Sequence, residues 1–291
     1  MTIVIGLAPG ERGDAAARLG VMLSNASGED LLVAAVTPTP WPPNPQDEEF
    51  RDTQEGLANE ALARASKVIA SGIPAGYEVH SARSVATGLA EVVQAHRASA
   101  VVLGSSARGV VGLVSLGGVA ERLLHSLETP VCIAPAGFDS RPPARLTRVT
   151  VGFGRADHDS GLLEAAARRA GDLGLRLRVV CFAVRPSTAA GGSIEQSADA
   201  LVVEEWSERL RAEIGRSLRS AGHDPARVEV VVGSGGTLAD AVRAVDWDPG
   251  DLLVIGASTS SVSRFFLGSH ASKIVRSSPA PVLVLARSAR A

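Results

Sequence analysis

Residues 101–118 read VVLGSSARGVVGLVSLGG. An apolar run enters a glycine, a loop of small residues and one arginine follows, and a Gly-Gly pair opens VAERLLHSL, where a helical period resumes. A strand ending on glycine, a glycine-rich loop and a helix that starts on glycine form the strand-loop-helix step of an α/β fold. Unpaired amides at such a helix start attract anions. Whether this loop is a phosphate cradle is the question on which the reading of function turns.

Outward from that loop the pattern alternates. TIVIGL (2–7) is a strand, GDAAARLGVMLSNA (13–26) a helix ending near Gly28, and DLLVAAVTP (30–38) a strand stopped by proline. TPTPWPPNPQ (37–46) is too rich in proline for regular structure and leads into the helix DEEFRDTQEGLANEALARASKVIAS (47–71). The strand YEVHSAR (77–83), the helix TGLAEVVQAHRA (87–98), the strand ASAVVLG (98–104), the helix GGVAERLLHSL (117–127) and the strand PVCIAP (130–135) complete five strands and four helices.

The same order returns after about 150 residues, a length that means duplication of a whole fold and not a solenoid. RVTVGFGRA (148–156) answers TIVIGLAPG, DLLVIGASTSS (251–261) answers SAVVLGSSARG, and PAPVLVLA (279–286) answers ETPVCIAP. ADALVVEEWSERLRAEIGRSLRSAG (198–222) is the long second helix of the second copy. Strands apolar at nearly every position, joined by amphipathic helices, are expected to be parallel and covered on both faces. The expected fold class is therefore α/β: two Rossmann-like, doubly wound domains, each a five-stranded parallel sheet with helices on both faces. The expected boundaries are a first domain at 1–137, a linker at 138–146 and a second domain at 147–291. In such sheets ligands sit beyond the carboxyl ends of the strands, where the winding reverses.

Bulk composition excludes several classes. The 291 residues are 45% hydrophobic and 21% charged with a formal charge of −2, so no basic field exists to hold nucleic acid. No run approaches the roughly 18 apolar residues of a membrane span, and MTIVIGLAPG lacks a signal peptide's cationic start. The two cysteines, Cys132 and Cys181, lie in apolar runs and read as reduced core thiols, so a cytoplasmic location is expected.

Both halves resemble the universal stress protein family, and the whole chain resembles its tandem form, in element order, strand composition and the PV-x-[IV] ending of each copy. The nucleotide-binding branch of that family carries G-x2-G-x9-G-[S/T] after the fourth strand and an aspartate at the end of the first. On this chain the resemblance implies binding positions at Gly104, Ala107, Gly117 and Gly118 in the first copy, and at Gly256, Thr259, Gly268 and Ser269 in the second. The middle glycine is replaced by Ala107 and Thr259, and the second loop is one residue short. The family aspartate falls on Ala8 and Gly154, neither of which has a carboxylate; losing it costs about 1–3 kcal/mol, ten- to hundredfold in affinity. Adenine in the family rests on backbone near the end of the second strand, which maps to Ala35 and Ala183. Arg108 and Arg264 lie inside the loops, where a guanidinium pairs with phosphate or simply faces water.

Other candidates have plainer readings. Asp157, His158 and Asp159 suggest a metal cluster but suit an acidic helix start, and no companion ligand pair stands at metal spacing. No metal is expected beyond one accompanying a nucleotide. VVVGSGGTLADAV (230–242) lacks a GxGxxG register and reads as a strand-to-helix turn capped near Thr237, lining the same crevice as Gly88. Phe265 and Phe266 read as packing residues of the shortened loop.

Three functions follow from these readings. The first is a stress-response regulatory module that binds ATP or a related adenine nucleotide in at least the first domain. The second is an interaction or scaffold protein of the same fold that has lost the nucleotide. An enzyme, such as a slow nucleotide hydrolase, is the weakest, because no general base, metal-binding carboxylate pair or activated nucleophile emerges. The apolar edges PVCIAP and PVLVLA invite pairing, so the two copies are expected to form an internal pseudo-dimer, with a homodimer of the whole chain as a further step.

Overall fold

The computed structural model describes residues 1–7, 13–39, 48–69, 72–106, 109–138, 145–153, 160–184, 193–220, 222–257 and 267–286, with backbone alone at 13, 160, 193–206 and 286. The first copy runs β1 (Thr2–Leu7), α1 (Gly13–Ser27), β2 (Asp30–Pro38), α2 (Glu48–Val68), β3 (Ala75–Ala82), α3 (Val85–Ala95), β4 (Ala100–Gly104), α4 (Gly118–Ser126) and β5 (Val131–Ala134). The second runs β6 (Arg148–Gly152), α5 (Ser160–Asp172), β7 (Arg176–Val184), α6 (Ser193–Ser220), β8 (Glu229–Gly235), α7 (Leu238–Arg243), β9 (Asp251–Ala257), α8 (Ser269–Ser277) and β10 (Val282–Ala286). A 3-10 turn at Pro225–Arg227 precedes β8.

Local chemistry sets the boundaries. The chain leaves α1 through Gly28, whose φ of +71° suits glycine and whose amide donates to the Ser24 carbonyl at 2.7 Å. Ser84 starts α3 by accepting from the Thr87 amide at 3.2 Å. Thr237 and Asp240 form a reciprocal capping box on α7.

The strands form one ten-stranded sheet in the order β3-β2-β1-β4-β5-β10-β9-β6-β7-β8. Each copy is parallel throughout, with the 3-2-1-4-5 order of a doubly wound sheet. The copies join where β5 meets β10 antiparallel, with Leu283 opposite Cys132 and Val282 opposite Ile133. The two apolar edges thus cover each other within one chain, as an internal pseudo-dimer.

A core lies on each face of the sheet, and both copies contribute to each. One holds Ile5, Cys132, Val149, Cys181 and Leu283; the other holds Val4, Leu123, Ile133, Leu253 and Val282. The outermost strands are the least buried: β3 packs against both α2 and α3, yet its Gly76, Tyr77 and Ser81 are exposed, and β8 is mostly half-buried. Each has a strand on one side only, and two His–carboxylate pairs, His80–Glu91 and His96–Glu78, link β3 with α3 and the residue after it.

Both cysteines are free and buried. Burial pushes the Cys132 thiol from its ordinary 9.0 up to about 12. Between those values the unfolded thiol loses its proton and the folded one keeps it, so stability falls as pH rises through that window, by up to about 1.4 kcal/mol per pH unit. Unfolding curves at pH 8 and pH 10 should therefore differ more for the native chain than for Cys132→Val. Equal differences would rule this out.

Candidate functional site

The loop after β4 is built by backbone and serine. Ser105 donates its hydroxyl to the Ala134 carbonyl at 2.7 Å and accepts the Ser115 amide at 2.9 Å, so the two ends of the loop close on β5. The Ser106 amide donates to the Ser115 carbonyl and the Gly109 amide to the Ser106 carbonyl, both at 2.9 Å. A Cβ on Gly109 would stand 2.5 Å from the Ser115 Cβ, so only glycine lets the strands of the loop approach this closely. The Gly112 amide reaches the Ala136 carbonyl at 2.6 Å, and the Val114 amide reaches Ser278 of the second copy at 3.0 Å. Both copies therefore hold the loop in place.

The loop ends at Gly117, the extended residue before α4, and no side chain caps it. The first amide to bond back into the helix is that of Glu121, which donates to the Gly117 carbonyl at 3.0 Å. The amides of Gly118, Val119 and Ala120 are the unpaired donors that every helix start presents. They border a cavity of about 170 Å³ whose wall includes Gly6, Leu89, Leu103, Ser106, Gly117 and Gly118. None of its described lining residues is charged.

Beyond the carboxyl ends of β1 and β4, where the strand order reverses, this cavity occupies the crevice expected of such sheets. Its floor is apolar because Gly6 has no side chain. A Cβ there would stand 2.8 Å from both Leu89 and Leu103, which instead converge over the strand end. Added Cβ atoms at Gly117 and Gly118 meet no such obstacle: the nearest atom to the first is the Ser106 Cβ at 3.4 Å, and the second faces open space. Glu121, in the first turn of α4, pairs with Arg276 of the second copy at 2.9 Å.

Of the residues named from sequence, the structure brings Gly104, Gly117 and Gly118 to this one cavity. Ala8, Ala107, Arg108, Gly154, Thr259, Arg264, Phe265, Phe266 and the Asp157–Asp159 stretch lie outside the described residues. Ala35 is not at a strand end. It is fully buried between Leu7 and Val79, three residues before β2 ends at Pro38, and Leu7 is the last residue of β1 to pair with that strand. Ala183 is the half-buried penultimate residue of β7, opposite Ser234.

Gly88 does not line the crevice either. It sits in α3 against Val36 and Ala82, which a Cβ would meet at 2.6 and 3.0 Å. Gly233 and Gly235 let α7 pack on β8: a Cβ on Gly233 would overlap the Ala241 carbonyl oxygen. In the second copy Gly256 is buried opposite Leu285, Gly268 precedes α8 without a side-chain cap, and Ser269 is exposed at its start.

Sequence reasoning missed Ser105, Ser106, Leu89 and Leu103. The serines carried a signal, two hydroxyls directly after the strand-end glycine, whereas the leucines are indistinguishable in sequence from other core positions. Among the described residues no three His, Cys, Asp or Glu side chains converge as a metal site would need, and no helix is long and apolar enough to cross a membrane.

The model of the universal stress protein family matches residues 1–135 and 146–286. A universal stress protein of Mycobacterium tuberculosis strain H37Rv is 35% identical over 293 residues, covering 98% of this chain and 99% of that protein. One from Mycolicibacterium smegmatis is 26% identical over 302 residues, covering 97% and 96%. Among solved structures, a universal stress protein from Archaeoglobus fulgidus shares the fold with a TM-score of 0.62 at 19% identity, covering 98% of each chain.

Proposed function

The chain belongs to the universal stress protein family, and on that premise we propose that it is a tandem stress-response regulatory module whose first copy takes a small adenine nucleotide, ATP or a relative, by its phosphate. The observation that carries this reading is the uncapped start of α4, where the amides of Gly118, Val119 and Ala120 border a cavity at the reversal point of the sheet. At about 170 Å³ the cavity is smaller than the roughly 300–1,000 Å³ of drug-sized pockets. It suits the anionic end of the ligand, with the remainder toward the opening. Ser106 lines the same wall and bonds to other described residues through its backbone alone, so its hydroxyl supplies a further donor. A cytoplasmic setting and pairing of two tandem chains belong to this reading.

One observation favours a second reading, a scaffold without ligand: Ala8 and Gly154 stand where the binding branch has its aspartate. Titration calorimetry with ATP, ADP, AMP and cyclic AMP separates the two. Heat from at least one of them supports the first reading, and no heat and no thermal shift from any supports the second.

Gly117→Val is the matched variant. The backbone at φ −96° and ψ 167° accepts valine, and the added carbons enter the mouth beside Ser106. Affinity should fall at least about tenfold, equal to about 1.4 kcal/mol, with the urea midpoint unchanged. Unaltered affinity would place the ligand elsewhere.

A further inference from the structure

The second copy buries an ionic cluster where the first copy, among its described residues, has no buried arginine, and where a partly buried hydrogen bond from the Ser99 hydroxyl to the Glu29 carboxylate, at 2.8 Å, stands instead. Arg148, at the start of β6, donates to both oxygens of Asp251, at the start of β9, at 2.6 and 2.9 Å. Arg178, from β7, donates to the same carboxylate at 2.9 Å, to the Thr150 hydroxyl of β6 at 3.1 Å and to the Asp246 carbonyl at 2.7 Å, and its guanidinium lies 5.2 Å from the Trp247 ring centre. Asp251 and Thr150 are 0% exposed, Arg178 1% and Arg148 7%. Three neighbouring strands, β7-β6-β9, are thus linked through one carboxylate, with half-exposed Asp248 and Glu229 completing the charge around Arg148.

Register identifies the counterparts. Thr150 stands opposite Arg178 as Val4 stands opposite Leu32, and Val149 opposite Leu252 as Ile3 stands opposite Ala100. Arg148, Thr150, Arg178 and Asp251 therefore occupy the places of Thr2, Val4, Leu32 and Ser99. Val4 and Leu32 are buried in a wholly apolar setting.

A chain with two copies of one fold carries a particular hazard. Its strands are alike in length and apolarity, both sheets have the same order, and a strand of one copy fits the slot of its counterpart. Misassembly between repeats is a characteristic failure of such chains. We propose that the buried cluster is a sorting device that keeps strands of the two copies from exchanging, within a chain or between chains. In the slot of β2, β7 would bury Arg178 without its carboxylate. In the slot of β6, β1 would leave Asp251 without the paired donors of Arg148. Each exchange strands a buried charge, which costs far more than an apolar mismatch. Against exchange of any one of β6, β7 and β9, only the correct arrangement pairs them all.

The test is refolding of the full chain from urea over a tenfold range of concentration, reading native monomer by size exclusion. Three variants are compared with the native chain. The neutral chain carries Arg148→Thr, Thr150→Val, Arg178→Leu and Asp251→Ser. The doubled chain carries Thr2→Arg, Val4→Thr, Leu32→Arg and Ser99→Asp, together with Glu29→Leu so that the new carboxylate does not meet the one Ser99 now bonds at 2.8 Å, and keeps the original cluster. The transposed chain carries both sets, moving the cluster to the first copy.

Sorting requires that the copies differ, so the neutral and doubled chains should both lose at least about threefold in monomer yield, with exchanged oligomers in its place. The transposed chain should recover most of the native yield. If the neutral chain fails to fold, the doubled chain still decides, because its second copy is intact. Native yield from the doubled chain, or yields that follow urea midpoints and not the difference between copies, would overturn the proposal.

Discussion

Asp251→Ala is expected to lower the free energy of unfolding by about 3–5 kcal/mol, the usual cost of breaking a buried ion pair from one side. The side chain is wholly buried and accepts from Arg148, Arg178 and the Asp248 amide. Removing it leaves two guanidiniums close enough that the charge on Arg148 disfavours that on Arg178, which burial already opposes. Glu229 and Asp248 reach Arg148 from the half-exposed rim, at 3.3 and 3.0 Å, and act on the buried Arg178 only from a distance, less than burial does. Urea titration followed by Trp247 fluorescence, in chains carrying Trp41→Phe and Trp206→Phe, measures the change where it occurs. A loss below about 1 kcal/mol, the range of surface pairs, would mean that water reaches the cluster.

Leu283→Asp should divide a single unfolding transition into two. Leu283 is 2% exposed on the strand that joins the copies, opposite Cys132 on one side and Val254 on the other. Both cores draw residues from both copies, so the native chain is expected to unfold as one unit. A carboxylate at that point is set among apolar side chains, with Arg169 lining the same small cavity as its one basic neighbour among the described residues there. Even with that neighbour, burying it costs about 1–3 kcal/mol. Separating β10 from β5 lets it reach water, and each copy keeps four further strands. With Trp41→Phe in both chains, tryptophan fluorescence comes from Trp206 and Trp247 and reports the second copy alone, while far-ultraviolet circular dichroism reports both. The two curves should coincide for the native chain and diverge for the variant. Coincident curves for Leu283→Asp would show that the copies are held together by more than this seam.

Part of the candidate site was legible in the primary structure because it consists of backbone. Gly104, Gly117 and Gly118 are recognisable by position, at a strand end and a helix start, and the structure brings them to one cavity. Its side-chain walls were not legible. Leu89 and Leu103 meet over Gly6 only because α3 and β4 are brought to the end of β1 by crossovers. Gly88 shows the converse: it has the right residue type near the right element, and it is packed against Val36 and Ala82.

The amino-acid order by itself determined the duplication, the alternation of strands and helices, and the helix starts on glycine, since these follow from local periodicity and backbone freedom along the chain. Tertiary structure alone decided which strands lie at the edges, how β5 and β10 seal the two sheets into one, and that Arg148, Arg178 and Asp251 share a single buried site although 103 and 73 residues separate the arginines from the aspartate. Periodicity records which face a residue occupies, but not which distant residue will lie against that face, and a charge at the start of a strand reads the same whether water or another charge awaits it.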